Sequence, residues 1–483
     1  MRNPIERIGR LKVKSGARYP LLVCWMILCP ACRMLGPDYV APTAQNYPQQ
    51  WTQHAAHPVQ QDGKDRTAWQ QWWRGFNDPV LNQLLEQAFA ANQDMAIAAQ
   101  RMVQARAQRD LVASRRQWQV GGQIDLKSQR SAKALQDPPG IGGSQSYRLG
   151  LDASWEIDVF GRQRRALEAA DAELDAFMAD QQTVKLLVLA EVANRYIELR
   201  RIQQHIQLAQ QEQKILAQLE TFARKSYQQG LASRLPLQQA EIEKQILQAK
   251  QAQLAADEAE TGHAIAVLLG GFSQDIQQSL QQNYAQLPQL PPLPETVPSQ
   301  MLQHRPDIRA AERRLAAASA QIGVADAERF PRFVIPLSLG SAASHFADLF
   351  SADSIFAALG LAMQSHIDDG GGKQAKLHYA EAEYRIQALA YAQGIRVAFQ
   401  DVEDHISHLN AAKQQQLQLQ LAFTQSSQSL SQAKRLYQRG LRPYHSVLEL
   451  SRQHILLQQQ LLNSEASYVQ QGIGLYKAFG MGW

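Results

Sequence analysis

The chain has 483 residues, 19% charged side chains and a formal charge of +5. That length leaves room for two or three domains, and so slight a basic excess does not by itself point to nucleic acid. The excess is concentrated at the front, where Arg2, Arg7, Arg10, Lys12, Lys14 and Arg18 stand against Glu6 and leave the remainder near neutral.

The basic stretch runs into the apolar segment Leu21–Leu28, too short to span a bilayer as a helix. Together they read as the n- and h-regions of a signal peptide over residues 1–31. A buried N-terminal helix is the competing reading, and the one-sided charges weigh against it. All three cysteines, Cys24, Cys29 and Cys32, lie here or at its border. Cleavage before Cys32 leaves one thiol at the mature N-terminus, suited to acylation by diacylglycerol. Ala31 is the small residue expected before a lipidated cysteine, whereas Cys29 and Pro30 fit a bacterial lipobox poorly. Plain cleavage near Ala31 is the alternative. An exported chain without a disulfide must hold itself together by packing. Beyond the leader no apolar run approaches the roughly 20 residues of a transmembrane helix, so any membrane crossing falls to strands.

After an N-terminal extended segment, residues 32–77, a helix is predicted from Asp78-Pro79 to about Arg116. Strands follow at about 119–131 and 147–159 around the loop Asp137–Gly143, then helices at about 163–228 and 234–269 with a turn at Gly230. The second strand is the clearest signal. Tyr147, Leu149, Leu151, Ala153, Trp155, Ile157 and Val159 alternate with Arg148, Gly150, Asp152, Ser154, Glu156 and Asp158. Such period-two patterning defines one apolar and one polar face, at the length a tilted transmembrane strand needs. A half-buried strand in a soluble sheet is the alternative, in a chain that offers little else for a sheet to pack on. The Pro-rich stretch of residues 287–298 reads as an extended linker.

The order then repeats. Helix is expected at about 306–329, strands at about 333–343 and 354–367, and helices at about 373–438 and 444–478. Ala223-Arg-Lys-Ser-Tyr-Gln-Gln-Gly-Leu231 parallels Ala433-Lys-Arg-Leu-Tyr-Gln-Arg-Gly-Leu441, an offset of 441 − 231 = 210 that also relates Gly270 to Gly480. A period so long is a duplicated domain rather than a solenoid, with copies at 78–286 and 299–483. In the second copy Pro336 would be costly inside a central ladder. The last helix carries Leu448, Ile455, Leu462, Val469 and Tyr476 every seven residues, with Gln459, Ala466 and Ile473 beside them. That is a coiled-coil seam with one polar position.

The fold class expected is mainly α with a small β part. Four strands cannot close a barrel, for which about eight are needed, and open edges are not tolerated in lipid. Two, three or four copies must therefore close together. The long helices, at 1.5 Å per residue, would reach about 90–100 Å.

Several motifs in this order resemble the outer membrane factor family, the TolC/OprM-like group and its NodT-type lipoprotein branch. They are Trp72-Trp73-x-x-Phe-x-Asp-Pro-x-Leu81, Trp155-Glu-Ile-Asp-Val-Phe-Gly-Arg162, His304-Arg-Pro-Asp-Ile308, the Tyr-x-x-Gly-Leu pair and Leu475–Trp483. Gly36–Pro42 resembles the segment after the lipidated cysteine. The resemblance implies a lipid-anchored homotrimer in the outer membrane. Its twelve-stranded β-barrel would continue as a long periplasmic α-helical barrel. It implies neither catalysis nor cofactor, and a passive duct for drugs or other small toxic compounds. Its partners would be a periplasmic adaptor (a membrane fusion protein) and an inner-membrane pump, with no nucleic acid.

In that family the adaptor contacts and the closing iris lie at the helix-reversing turns, here Tyr227, Gly230, Leu231 and Tyr437, Gly440, Leu441. The candidate gate is Tyr437, Gln438, His445 and Glu449. Glu449 matches an acidic position lining the constriction, His445 stands where relatives carry Leu, and Gln438 where they carry Arg. Three copies of Glu449 would ring the entrance, and protonation of His445 below about pH 6.5 could retune it. Solvated residues beside a turn are the plainer reading of the same pair. Asp368-Asp369-Gly-Gly-Gly372 superficially resembles a metal or phosphate loop but is expected to be a structural turn, and no histidine spacing suggests a metal site. Glu156 and Asp158 are expected to line the barrel. A periplasmic coiled-coil adaptor without a pore is the main rival, and an enzyme lacks any nucleophile, base and orienter set.

Overall fold

The computed structural model describes residues 34–42, 48, 50–52, 71–130, 132, 143–275, 286–293 and 304–482. The expected leader with Cys24, Cys29 and Cys32, most of the loop after Asp137 and the end of the Pro-rich stretch lie outside the described residues. The chain divides into two units, one drawn from the described residues of Met1–Val40, Ala107–Ala172 and Leu315–Ile386, the other from Ala41–Arg106, Glu173–Arg314 and Gln387–Trp483.

Helix α1 (Pro79–Ala91) starts where the sequence signals it. Asp78 caps it by accepting from Val80 N–H at 2.9 Å and Leu81 N–H at 3.1 Å, and Pro79 needs no donor at its first position. The single helix expected to Arg116 is instead broken at Asn92 into α1 and α2 (Gln93–Ser114). Asn92 donates to Leu268 O at 2.8 Å and caps α2 through Met95 N–H at 3.0 Å. The four longest helices are α3 (Arg162–Gln228), α4 (Leu235–Leu268), α6 (Gly372–Gln438) and α7 (Tyr444–Ala478), with the shorter α5 (Pro306–Ala327) opening the second half. Both α3 and α6 have 67 residues, about 100 Å at 1.5 Å rise, and begin 210 positions apart.

The helical unit has one main core. Leu81, Leu84 and Leu85 of α1 pack with Val192, Tyr196 and Ile197 of α3 and with Ala466, Val469 and Ile473 of α7. Trp72 stacks on Tyr476 at 4.6 Å and Tyr196 donates to Asp78 at 2.6 Å. Burial raises the Tyr196 hydroxyl far above the phenol range, with Asp78 adding to the shift. Every residue of the expected α7 seam is buried, Gln459 included.

The other unit holds an antiparallel sheet in the order β1-β2-β3-β4, with β5 also on β3. Its strands are β1 (Gln119–Arg130), β2 (Gly143–Ile157), β3 (Arg332–Ala343), β4 (Ile355–Leu359) and β5 (Ala362–Gln364). Two expectations need correction. β2 begins earlier than Tyr147 and stops before Val159, because Asp158 turns back to accept from Gln163 N–H at 3.0 Å and Arg164 N–H at 2.9 Å. Asp158 therefore caps α3 and does not line a barrel wall. The fourth strand is interrupted between Leu359 and Ala362, although both pieces hold one register on β3. The gap faces Pro336, which accepts from Gly360 N–H at 3.1 Å but has no N–H to return.

Candidate functional site

The register of the sheet aligns its apolar residues into a single face. Ile124 pairs with Leu149 and Leu126 with Tyr147. Leu151 pairs with Leu339 and Ala153 with Leu337, which in turn faces Leu359. Side chains alternate along a strand, so this face carries the period-two residues of all the strands. It is uncovered in the protomer: Ile124 is 71% exposed, Leu151 57% and Leu359 75%. Exposed apolar area on that scale marks a surface built to meet lipid or protein.

Aromatic rings close the face at both ends. Trp118 stacks on Trp155 at 5.9 Å at the end where the helices join, and Phe160 lies 4.7 Å from Phe330 nearby. At the opposite end Tyr147 meets Phe346 at 5.8 Å, and Phe346 meets Phe350 at 6.1 Å. From Trp155 to Tyr147 the strand runs eight residues, about 27 Å. At a tilt near 40° that is roughly 20 Å of height, close to the apolar band of an outer-membrane barrel with its flanking girdles. Among the described residues no helix is long and apolar enough to cross a bilayer.

The opposite face is polar. Arg148 reaches Asp152 at 3.4 Å, Ser338 donates to Asp152, and Glu156 takes a forked pair from Arg162 at 2.8 and 2.9 Å. Among the described residues β1 pairs only with β2, and β4 and β5 pair only with β3. Both edges of the sheet are open.

The N-terminal segment is seated on this unit. Leu35 N–H donates to Phe160 O at 3.2 Å. The guanidinium of Arg165, 2% exposed, donates to Leu35 O, Gly36 O, Asp38 and Glu168. Gly36 rests on the backbone of Gly323, where a Cβ would come within 2.4 Å of its Cα. Met34 packs against Gly161, so the seat begins two residues downstream of Cys32.

The two helix-reversing turns share one backbone solution. Gly230 N–H donates to Tyr227 O at 3.0 Å and Leu231 N–H to Ser226 O at 2.9 Å. Gly440 donates to Tyr437 and Leu441 to Leu436, both at 2.9 Å. These are paired Schellman closures, and they place Gly230 at φ +68° and Gly440 at φ +71°, where a side chain would strain. Leu231 and Leu441 are left 76% and 71% exposed.

Near the turns, His445 and Glu449 line one cleft of about 360 Å³ together with Phe222, Pro236, Glu243 and Pro443. The cleft joins the α3–α4 hairpin to the start of α7. Gln438 and His445 are exposed. Sequence reasoning missed two contacts here. Arg452 bridges helices, with Glu243 at 2.6 Å and Glu449 at 3.9 Å. Tyr444 packs on Tyr437 at 5.0 Å and Phe222 at 6.2 Å, and its hydroxyl donates to Gln218 at 3.2 Å. The one available signal was the three-residue spacing of Glu449 and Arg452 on a helix face. The turn Asp368–Gly372 is internally satisfied: Gly370 N–H donates to Asp368 at 2.9 Å, and Gly371 and Lys373 N–H donate to Asp369 at 3.1 and 2.8 Å. Among the described residues no group of three acidic, histidine or cysteine side chains could hold a metal.

The sequence model of the outer membrane efflux protein family matches residues 84–271 and 297–481. The pyoverdine export outer membrane protein OpmQ of Pseudomonas putida is 32% identical over 422 residues, 86% of this chain and 88% of that protein. The cation efflux system protein CusC of Escherichia coli is 30% identical over 456 residues, 93% of this chain and 95% of the relative. The solved outer-membrane channel OprN superposes with a TM-score of 0.80 at 29% identity, covering 93% of this chain and 99% of the channel.

Proposed function

We propose a gated exit duct as the working role of this chain, which belongs to the outer membrane efflux protein family and is an outer-membrane efflux channel subunit. The rival reading as an adaptor without a pore gives way to the channel, since the relatives are outer-membrane efflux proteins. The observation that carries the proposal is the sheet, apolar on one face, polar on the other and open at both edges. Lipid forbids open edges, so closure must come from further copies. Two copies would give about eight strands, whose side chains fill the interior; three give about twelve and leave a water-filled lumen. A homotrimer is therefore the smallest assembly that makes a duct.

The duct conducts small compounds passively and carries no catalytic step. The relatives' names speak of pyoverdine, of antibiotics and toluene, and of cations, so the cargo follows the pump rather than the pipe. Exposed Leu231 and Leu441, with Tyr227, Gly230, Tyr437 and Gly440, are the proposed contacts for a periplasmic adaptor that links the channel to an inner-membrane pump. Acylation of Cys32 anchors the chain in the outer membrane, with the seated segment from Met34 onward fixing where the anchor attaches. Tyr437, Gln438, His445 and Glu449 form the proposed gate, joined now by Tyr444, Arg452 and Glu243.

Purified mature protein should run as a heat-modifiable trimer and conduct ions in a planar bilayer. A monomer that stays soluble and silent there refutes the duct. Within the gate, Glu449→Ala should change conductance and cation selectivity; unchanged values exclude a Glu449 ring.

A further inference from the structure

The junctions between helices and sheet are rich in arginine, and most of these side chains are answered within the chain. Arg162 pairs with Glu156, Arg164 with Asp158, Arg329 with Asp326 and Arg332 with Glu328. Arg115 and Arg116, in the turn between α2 and β1, are exposed, and among the described residues they have no acid within ion-pair distance. Their turn is nonetheless held in place, because Trp155 Nε1–H donates to Arg116 O at 3.0 Å. Asp368 and Asp369, in the turn between β5 and α6, are the complement. They are exposed, bonded only to backbone N–H groups, and without a cation at ion-pair distance among the described residues.

The topology puts these two turns on opposite edges of the same sheet end. Gln119 opens β1 and Gln364 closes β5. Arg115 and Arg116 precede the one by four and three residues, and Asp368 and Asp369 follow the other by four and five. With strands ordered β1-β2-β3-β4 and each antiparallel to the next, β1 leaves the helix end and β5 returns to it. A second copy added at the open edge therefore sets its β1 antiparallel to β5, dibasic turn beside diacidic turn. The apolar rims match as well: Ile367 is 102% exposed on one edge and Trp118 47% on the other.

We infer that Arg115 and Arg116 of one copy close an ionic clasp on Asp368 and Asp369 of the next, at each seam of the barrel. The inference rests on the reading that copies of this sheet close together. The clasp selects the register of that seam, which strand pairing alone leaves free to slip by two residues without changing faces. The Gly-rich turn is thus an interface element, in which the backbone N–H groups of Gly370, Gly371 and Lys373 hold both carboxylates in place.

Cysteine pairs test it in the full mature chain. Arg116→Cys with Asp368→Cys, and the three other pairings of these four positions, should give a covalent ladder on non-reducing denaturing gels after mild oxidation, while single variants should not. Independently, Arg115→Gln/Arg116→Gln should lower the temperature at which the trimer dissociates by several degrees, with no further drop on adding Asp368→Asn/Asp369→Asn. The difference should vanish at 1 M salt, where the screening length is about 3 Å. A trimer in mild detergent that yields no ladder from any pairing overturns the clasp and leaves the duct standing. A wild-type monomer that fails to conduct overturns the duct itself. If heat resistance of the arginine variants follows anionic lipid content and the asparagine variants match wild type, the arginines hold lipid headgroups and the clasp is wrong.

Discussion

Arg452→Ala removes the cation that ties the start of α7 to α4. Its guanidinium stands 2.6 Å from Glu243 and 3.9 Å from Glu449, with the three side chains 28%, 34% and 42% exposed. At that exposure water screens the pairs, and about 0.5–1 kcal/mol per copy is a fair value. Three copies acting on the proposed iris would lose roughly 1.5–3 kcal/mol of closed-state stability, on the order of ten- to a hundred-fold in the closed-to-open ratio. Single-channel recording of the purified trimer at low salt reads this directly as open probability, and raised ionic strength should move wild type the same way. Glu243→Gln should reproduce most of the effect, and exchange of the two charges should reverse part of it. If Arg452→Ala and Glu243→Gln both gate like wild type at low salt, the tip is not held by this pair.

Leu337→Arg, on the apolar face of a central strand, should cost about 2–4 kcal/mol if that face meets lipid and abolish outer-membrane assembly in fractionated cells, whereas Ser338→Arg on the polar face should assemble. Gly474→Ala would bring a Cβ within 2.3 Å of the His405 ring, and a melting temperature several degrees lower should show it, with a loss of about 1–3 kcal/mol for overpacking. Burial lowers the imidazole pKa of His205 and His405, against opposing hydrogen bonds from Asn463 and Gln471. Both take up protons less readily in the fold than in an unfolded chain, which does so below about pH 6.5. Stability should therefore be full above that value and fall as pH drops below it, and His205→Gln with His405→Gln should flatten the melting curve between pH 7.5 and 5.

Helix boundaries were legible because punctuation and periodicity agreed. Asp78-Pro79 and the two Tyr-x-x-Gly-Leu turns are local signals, and local hydrogen bonds realise them. The break at Asn92 was not, since nothing in the helical pattern from α1 to α2 requires it. It comes from elsewhere: Gly270 approaches so closely that a Cβ there would lie 2.1 Å from Ala91 O, and Asn92 bonds Leu268. Pro336 did announce a fault in the ladder, but it took the register to show that β4 and β5, rather than β3, are where pairing lapses. Asp158 sits in phase with the polar face of β2, so alternation alone could not distinguish a wall residue from a cap. Of the proposed gate, Glu449 and His445 were named from sequence position, and the fold places both on one cleft. The bridge from Arg452 to Glu243 joins residues far apart in sequence, and only the fold brings them together.

Burial is distributed unevenly along α7, and that gives its two ends different freedom to move. Over Tyr444 to Gln460 four residues are buried, Val447, Leu448, Ile455 and Gln459; over Leu461 to Ala478 there are eleven. Contacts of the first half include Arg452 with Glu243 and Tyr444 with Gln218, both reached by water. Its buried polar position, Gln459, accepts from Lys250 at 2.8 Å and so adds register rather than apolar adhesion. The second half is locked into the main core through Ala466, Val469, Ile473 and Tyr476. Segments with few buried apolar contacts open with less free energy than the whole fold requires, so the turn-proximal half of α7 should be the part that swings. Hydrogen exchange on the purified trimer resolves the two halves: amides of 444–460 should exchange at least ten-fold faster than those of 461–478. Uniform protection along α7 would mean the helix moves as one rod, and gating would then have to displace its buried half as well.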